Sequence, residues 1–330
     1  VIDETTLTSR ITQQYAGRSL IDFLSGRFRY RGREEWAALI AAGKVVVNGS
    51  ASDADHPLAK GDLVAYTIVL EEPPVDGNIA ILHDEESFLV AGKPGNLPSH
   101  ADGRFIKNTF IWMIRERYAA QGFAGKLNLV HRLDRETSGV MLVSKIDSAH
   151  RGLMRQFGAG TVEKEYRAIV RGVVAADAFE VGGYIVPDRA SGISIKKRVV
   201  DDEEPGAKRA VTRFEVIERL ERFTLLRCVP LTGRTNQIRV HLAHAGYPIA
   251  GDKLYGRTDE EFLAYVHAVK AGEYDPRPWL EAPRHLLHAA RLSFDHPVTR
   301  ERLCFEAPVP EDMRRFIYEA GSSASSAARP

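Results

Sequence analysis

The stretch HRLDRETSGV, residues 131–140, constrains this chain more than any other. It follows the apolar run LNLV and leads, past Gly139, into VMLV. A short continuous apolar run bounded by turn residues predicts a buried strand over 140–144. A dense polar cluster, His131, Arg132, Asp134, Arg135, Glu136, Thr137 and Ser138, must therefore sit where the chain dives into the core. A carboxylate taken out of water needs a cation or hydrogen bonds, or it takes up a proton. Arg132 and Arg135 are the nearest cations in sequence, and GRTNQIRVHL supplies Arg234 and Arg239. From the residues alone, Asp134 reads most simply as a turn aspartate capped by Thr137 or Ser138. A working carboxylate at the floor of a cleft is the other reading.

The surrounding sequence divides the chain. Residues 10–70 form a small α/β unit. RSLIDFLSGRF carries its apolar residues on one helical face, REEWAALIAAG repeats the pattern up to Gly43, KVVVNG reads as a strand with an Asn-Gly turn, and GDLVAYTIVL as another strand. The acidic, proline-bearing EEPPVDGN marks a linker over 71–79. A larger domain spans 80–318. It opens with a hairpin around HDEES, has a helix over 105–120, strands near 140–144, 165–171, 210–217 and 223–230, and a helix over 235–245 closed by Gly246 and Pro248. Strands and helices do not alternate, so the fold class is α+β with a mixed or antiparallel central sheet. The Ser- and Ala-rich end, 319–330, reads as disordered.

Of 330 residues 44% are hydrophobic and 27% charged, and the formal net charge is +1. A polyanion would have to be held by local patches rather than by a global field. RFRYRGR offers one: Arg27, Arg29, Arg31 and Arg33, interleaved with Phe28 and Tyr30, with guanidinium groups for phosphates and rings for bases. A solvated loop with two aromatic anchors is the plainer reading. A second lies in IKKRVVDDEEPGAKRAVTRF, with Lys196, Lys197 and Arg198 ahead of four acids and Lys208, Arg209 and Arg213 after them. That pattern also suits a charged surface hairpin. Cys228 and Cys304 are far apart and each lies in an apolar context, which suits neither a disulfide framework nor a zinc site and predicts a reducing, cytoplasmic location. No run approaches the length of a membrane span. No metal cluster, Walker loop or dinucleotide fingerprint is present, so no metal or cofactor is expected.

HRLDRETSGVMLVSK resembles the signature segment of the RluA family of pseudouridine synthases. Further segments are similar to that family in the same order: KPGNLPSH (93–100), EKEYRAIVRG (163–172), GAKRAVTRFEV (206–216), LTGRTNQIRVHLAHAGYPIAGDKLYG (231–256) and HLLHAARLSFDHP (285–297). The resemblance covers about 78–310. It implies that Asp134 is the catalytic carboxylate, that Arg239 pairs with it, and that Tyr166 stacks on the uracil with a hydroxyl near the proton shift. It implies that Arg132 fills the space of an extruded nucleotide and that Leu287 supports the base. Residue pattern alone leaves Tyr166 equally a core aromatic and Arg239 a surface helix residue. The family commonly has histidine where Asn236 stands. His131 and His241 read as structural, satisfied polar groups. The small unit is similar to the RNA-binding domain named after ribosomal protein S-four. The implied protein is a monomeric enzyme isomerising uridine in structured RNA, rRNA favoured slightly over tRNA, which SHADGRFIKNTFIWMIRERY also suits. A non-catalytic RNA-binding or ribosome-assembly factor with the same fold is the alternative. A glycosidase would need a second flanking carboxylate.

Overall fold

The computed structural model describes residues 4–28, 30–69, 72–102, 105–271 and 280–326. The chain forms two units. The first comprises 1–74 together with 101–108. Its elements are β1 (Glu4–Arg10), α1 (Leu20–Arg27), α2 (Arg33–Ala41), β2 (Val45–Val47), β3 (Ser50–Ala51) and β4 (Leu63–Val69). Ser19 caps α1 by accepting the Asp22 amide, and the Glu35 carboxylate accepts the Gly32 amide ahead of α2. Leu20, Ile21, Phe23 and Leu24 on α1 and Trp36 and Ile40 on α2 bury one face each. Asn48 and Gly49 both take positive φ, 52° and 83°, as a tight hairpin between β2 and β3 requires.

Two boundaries differ from expectation. The sheet runs in the order β1-β4-β2-β3, so the unit begins before residue 10, with Arg10 opposite Leu63. ETTLTSR holds a single apolar residue, Leu7, and carries no alternation to betray a strand. The segment read as a linker is anchored at its start: Glu72 accepts the amides of Ile106, Lys107 and Asn108 at 2.7–3.0 Å. The stretch 105–109 is accordingly not helical, and the next helix starts one residue after its Thr109 cap.

The second unit comprises 75–100 and 109–330. In chain order its elements are β5 (Ala80–Asp84), β6 (Phe88–Lys93), α3 (Phe110–Ala120), β7 (Asn128–Leu129), β8 (Ser138–Ser144), α4 (Asp147–Ala159), β9 (Glu163–Arg171), β10 (Ala178–Pro187), β11 (Lys197–Val200), β12 (Lys208–Arg219), β13 (Phe223–Pro230), α5 (Gln237–His244), α6 (Asp259–Ala271), β14 (Leu287–Asp295), β15 (Arg302–Glu306) and α7 (Glu311–Ser326). Among the described residues the sheet has eleven strands, ordered β11-β10-β12-β13-β9-β14-β8-β6-β5, with β15 on β14 and β7 on β8. Every pairing is antiparallel except β14 with β8, so the sheet is mixed. β8, the VMLV strand, is buried throughout. The two charged segments around 196–213 do not form a hairpin with each other; β10 lies between β11 and β12. α7 continues to Ser326, past the expected order–disorder boundary, because Met313, Phe316 and Ile317 tie its first turns to the core. Residues 327–330 lie outside the described residues.

The one parallel contact depends on Gly139. It sits at φ +122°, opposite Ala289, and a Cβ there would stand 2.1 Å from the Ala289 carbonyl oxygen. Gly139→Ala should therefore part β8 from β14 and cost about 3 kcal/mol, read as a lowered urea midpoint. An unchanged midpoint would show that the crossing has slack.

Candidate active site

The turn that carries Asp134 is fixed from below. Its carbonyl accepts the Thr137 amide at 3.1 Å, and the Arg135 carbonyl accepts the Leu97 amide at 3.0 Å. The buried Lys93 ammonium donates to the carbonyls of Pro94, Leu97 and Arg135 at 2.8–3.1 Å. Burial and then the Arg284 charge push its pKa down to about 7, against the pull of Asp134 and Glu136. Ser99 donates to the Leu133 carbonyl and accepts its amide, at 2.6 and 3.1 Å. The segment 93–100 is thus laced to 133–135.

Thr137 and Ser138 do not cap Asp134. Their hydroxyls hydrogen-bond His285 Nε2 at 2.8 Å and His288 Nδ1 at 3.0 Å. Buried Glu136 meets Lys253, Arg135 and His285 instead. Asp134, with 35% of its side chain exposed, points to the one cation that α5 lends: Arg239 Nη1 donates to Asp134 Oδ2 at 3.0 Å. The other edge of the same guanidinium grips Asp252 with two bonds, Nε at 2.7 Å and Nη2 at 2.9 Å. The Arg239 guanidinium also lies 5.1 Å from the Tyr255 ring centroid. Ile238 and Leu242 are buried, which places Arg239 on the border of the buried face.

Asp252 is fully buried, and its Oδ1 accepts the amides of Leu254 and Tyr255 at 2.9 and 3.0 Å. Burial drives its pKa up, but Arg239 and those amides outweigh it and leave the carboxyl below its usual range. Burial likewise works against the Arg239 charge; Asp252 first and Asp134 next hold its pKa above the ordinary value. The guanidinium stays cationic in a dry site.

Asp252 was not singled out by sequence reasoning. The available signal was Gly251 before it, at φ +75° with no room for a Cβ, which would meet the Arg284 carbonyl oxygen at 2.1 Å. Asn236 stands at φ 60°, a left-handed conformation that asparagine tolerates. Its Oδ1 accepts from Arg239 at 3.4 Å and its amide donates to the Tyr255 hydroxyl at 3.3 Å. Its place in the site is therefore a hydrogen-bonding one.

Tyr166, on β9, packs against the clusters that contain Leu287 and Leu133. Burial, then the Asp134 charge, raise its hydroxyl pKa, so the phenol keeps its proton. Leu287 is 4% exposed at the start of β14. Arg132 is exposed, and its Nη1 lies 2.5 Å from His100 Nε2. His131 accepts the Leu142 amide and stacks on Phe157. His241 departs from expectation: it is fully buried, yet neither ring nitrogen has a partner among the described residues.

The basic patches are less free than their sequence suggests. Phe28 and Tyr30 are held in an aromatic cluster with Trp36 and Tyr66, and the Tyr30 hydroxyl bonds that of Tyr66 at 3.0 Å. They brace the small unit rather than present stacking faces. Arg33 pairs with Asp22 at 2.5 Å and Arg27 donates to the Tyr15 hydroxyl. Arg31 has no ion pair among the described residues, and Arg29 lies outside them. Lys196 pairs with Asp259 at 2.7 Å and Arg198 with Glu204 at 3.2 Å, which leaves Lys197 on the edge strand. Cys228 is buried and Cys304 exposed, both as free thiols, so Cys304 lacks the apolar setting expected of it.

Four histidines make stability depend on pH: His285, held well below its usual value first by burial and then by the neighbouring cations, and three more. Burial, with a smaller push from Lys164, His244 and Arg284 respectively, lowers His131, His241 and His288 to about 4. The unfolded chain takes up these protons near 6.5 and the folded chain does not. Stability should thus be full above about pH 6.5 and fall as pH drops toward 4, by several kcal/mol in all. A melting temperature constant from pH 7 to 5 would contradict that assignment.

Comparison with known proteins gives the family. Residues 87–244 match the family model for RNA pseudouridylate synthases. The chain is 35% identical over 86% of its length, and 87% of the relative's, to a Bacillus subtilis protein named uncharacterized RNA pseudouridine synthase YlyB. It is 34% identical over 94% of its length to the Escherichia coli ribosomal large subunit pseudouridine synthase C, covering 95% of that protein. Among solved structures, human RNA pseudouridylate synthase domain containing 4 superposes with a TM-score of 0.57 at 27% identity, over 73% of this chain and 92% of that one. With the family model and these relatives in agreement, the chain belongs to the RluA family of RNA pseudouridine synthases, isomerases that convert uridine in RNA to pseudouridine.

Proposed function

We propose that this enzyme modifies a uridine of large-subunit ribosomal RNA, with Asp134 as its catalytic carboxylate. The observation that carries the catalytic assignment is the chain Asp134–Arg239–Asp252, in which one buried guanidinium serves two carboxylates. The reaction breaks the bond between C1′ and N1, turns the uracil, and rejoins it through C5. Attack on C1′ and removal of a sugar proton are the two routes open to a carboxylate here, and each uses the anion. Arg239 holds that anion in place and offsets its charge while Asp252 fixes Arg239. Tyr166 and Leu287 border the space where a uracil would lie, and the protonated phenol of Tyr166 is suited to the proton shift at C5. Arg132, exposed beside His100, takes the place of the extruded nucleotide, whose unstacking costs about a few kcal/mol.

Support for the ribosomal target is that relatives matched over nearly their whole length carry names of large-subunit synthases C and D. The first unit, with Arg27 at the end of α1, Arg33 at the start of α2 and Arg31 in the loop between them, would hold the RNA as an S-four-type domain, with Lys197 as a further contact. A tRNA target is the second reading, on the similarity of the segment from Ser99 to Tyr118. The enzyme is taken to act as a monomer in the cytoplasm; among the described residues no helix is long and apolar enough to cross a membrane. Pseudouridine maps of total RNA from cells with and without the gene decide the target. A position lost from large-subunit rRNA supports the proposal, and one lost only from tRNA replaces it.

A further inference from the structure

Among the described residues, two cations near the active site have no acid to answer them. Lys164 lies on β9 two residues before Tyr166, and so on the same face of the strand. It is half-buried, and among the described residues its ammonium makes no hydrogen bond or ion pair. The strand's own acids are committed elsewhere: Glu163 to Arg302 at 2.7 Å, Glu165 to Arg167 at 2.9 Å and to Arg227 at 2.6 Å. The Lys164 Nζ stands 3.6 Å from the point where a Cβ on Gly233 would be. The next residue, Arg234, is exposed in the turn that leads into α5 and Arg239. Its Nε donates to the Arg209 carbonyl at 3.0 Å, and no carboxylate pairs with it among the described residues.

Burial, then the Arg234 charge, push the Lys164 pKa below the usual lysine value. The free enzyme thus bears a cost for keeping a partly dehydrated ammonium beside a guanidinium. An anion shared by the two groups would remove it. The Lys164 charge also reaches His131, at the head of the segment that carries Asp134. Lys164 thus shares its strand face with Tyr166, and its charge is felt at the residue that opens the catalytic turn.

We propose that Lys164 and Arg234 form a seat for one phosphodiester group of the RNA, adjacent to the target nucleotide, with Gly233 leaving the ammonium uncovered. A lysine acts there as a point charge and an arginine as a fork, and both favour a phosphate oxygen over water once the backbone is laid across them. This rests on the catalytic reading of Asp134 and adds a binding element that the chemistry at Asp134 does not require.

The test uses the full chain carrying Asp134→Asn and a synthetic RNA hairpin containing the uridine found by mapping. Affinity is measured across a KCl series. Lys164→Met and Arg234→Met should each weaken binding by about tenfold at low salt and flatten the salt slope by about 0.7–0.9, the share of one phosphate contact. Lys164→Arg should keep most of the affinity. A hairpin with a single uncharged methylphosphonate beside the target uridine should bind the parent more weakly, and Lys164→Met should then add nothing. The melting temperature of Lys164→Met should equal or exceed the parent's, since an unanswered charge has been removed. A salt slope unchanged in Lys164→Met, or a melting temperature that falls together with affinity, overturns the seat. If the wild-type chain forms no pseudouridine in the same RNA, the catalytic reading fails instead.

Discussion

Asp134→Asn should leave fold and RNA affinity in place and lower pseudouridine formation by about 10⁴-fold or more. The substitution is nearly isosteric. Arg239 Nη1 can still donate to the side-chain oxygen at position 134, and Arg239 remains gripped by Asp252 through two other bonds. No buried charge is left without a partner, because Arg239 and Asp252 balance each other in the core. What disappears is the carboxylate anion that both routes at C1′ and the sugar require. Single-turnover release of tritium from RNA labelled at uridine C5 reads the chemical step, and a filter-binding curve reads affinity. Retention of more than about one part in a hundred of the wild-type rate would remove Asp134 from the chemistry.

Arg239→Ala should do more damage to the protein itself. It strips a fully buried carboxylate, Asp252, of its only side-chain partner among the described residues and leaves two backbone amides to hold the charge. Removing one member of a buried pair costs about 3–5 kcal/mol, or about 10 °C in melting temperature for a unit of this size. Activity should vanish with it. The paired change Arg239→Met with Asp252→Leu separates the two effects. It removes both charges, so stability should return to within about 1–2 kcal/mol of wild type, while turnover stays lost because Asp134 still lacks its guanidinium. Recovery of turnover in the double variant would mean that Asp134 needs no cation.

Much of the site was legible because it lies in contiguous segments with distinctive residues. The burial of VMLV, the Asn-Gly hairpin and the Gly43 stop after α2 follow from local periodicity and turn chemistry. The pairing of Asp134 with Arg239 came from resemblance, as no local rule joins residues so far apart in sequence. Asp252 escaped because its importance lies in a contact: only the folded chain brings the residue after Gly251 under the Arg239 fork. β1 was hidden by polarity, since an edge strand needs little apolar surface. The end of α7 was hidden by composition, because Ser and Ala after Tyr318 continue a helix whose anchoring residues come earlier. The aromatic residues of RFRYRGR stayed open between stacking faces and anchors, because alternation with arginine on a loop says nothing about which way a ring turns; the fold makes them anchors.

The order in which these parts leave the ribosome has a consequence of its own. The first unit is complete once residue 108 has emerged, and the turn bearing Asp134 follows soon after. Its counter-charge, that residue's clamp at Asp252, and the Arg284–Asp312 pair that ties down the neighbouring segment all come from the last third of the chain. A nascent chain therefore carries the Asp134 turn well before the residues that charge and brace it have been made.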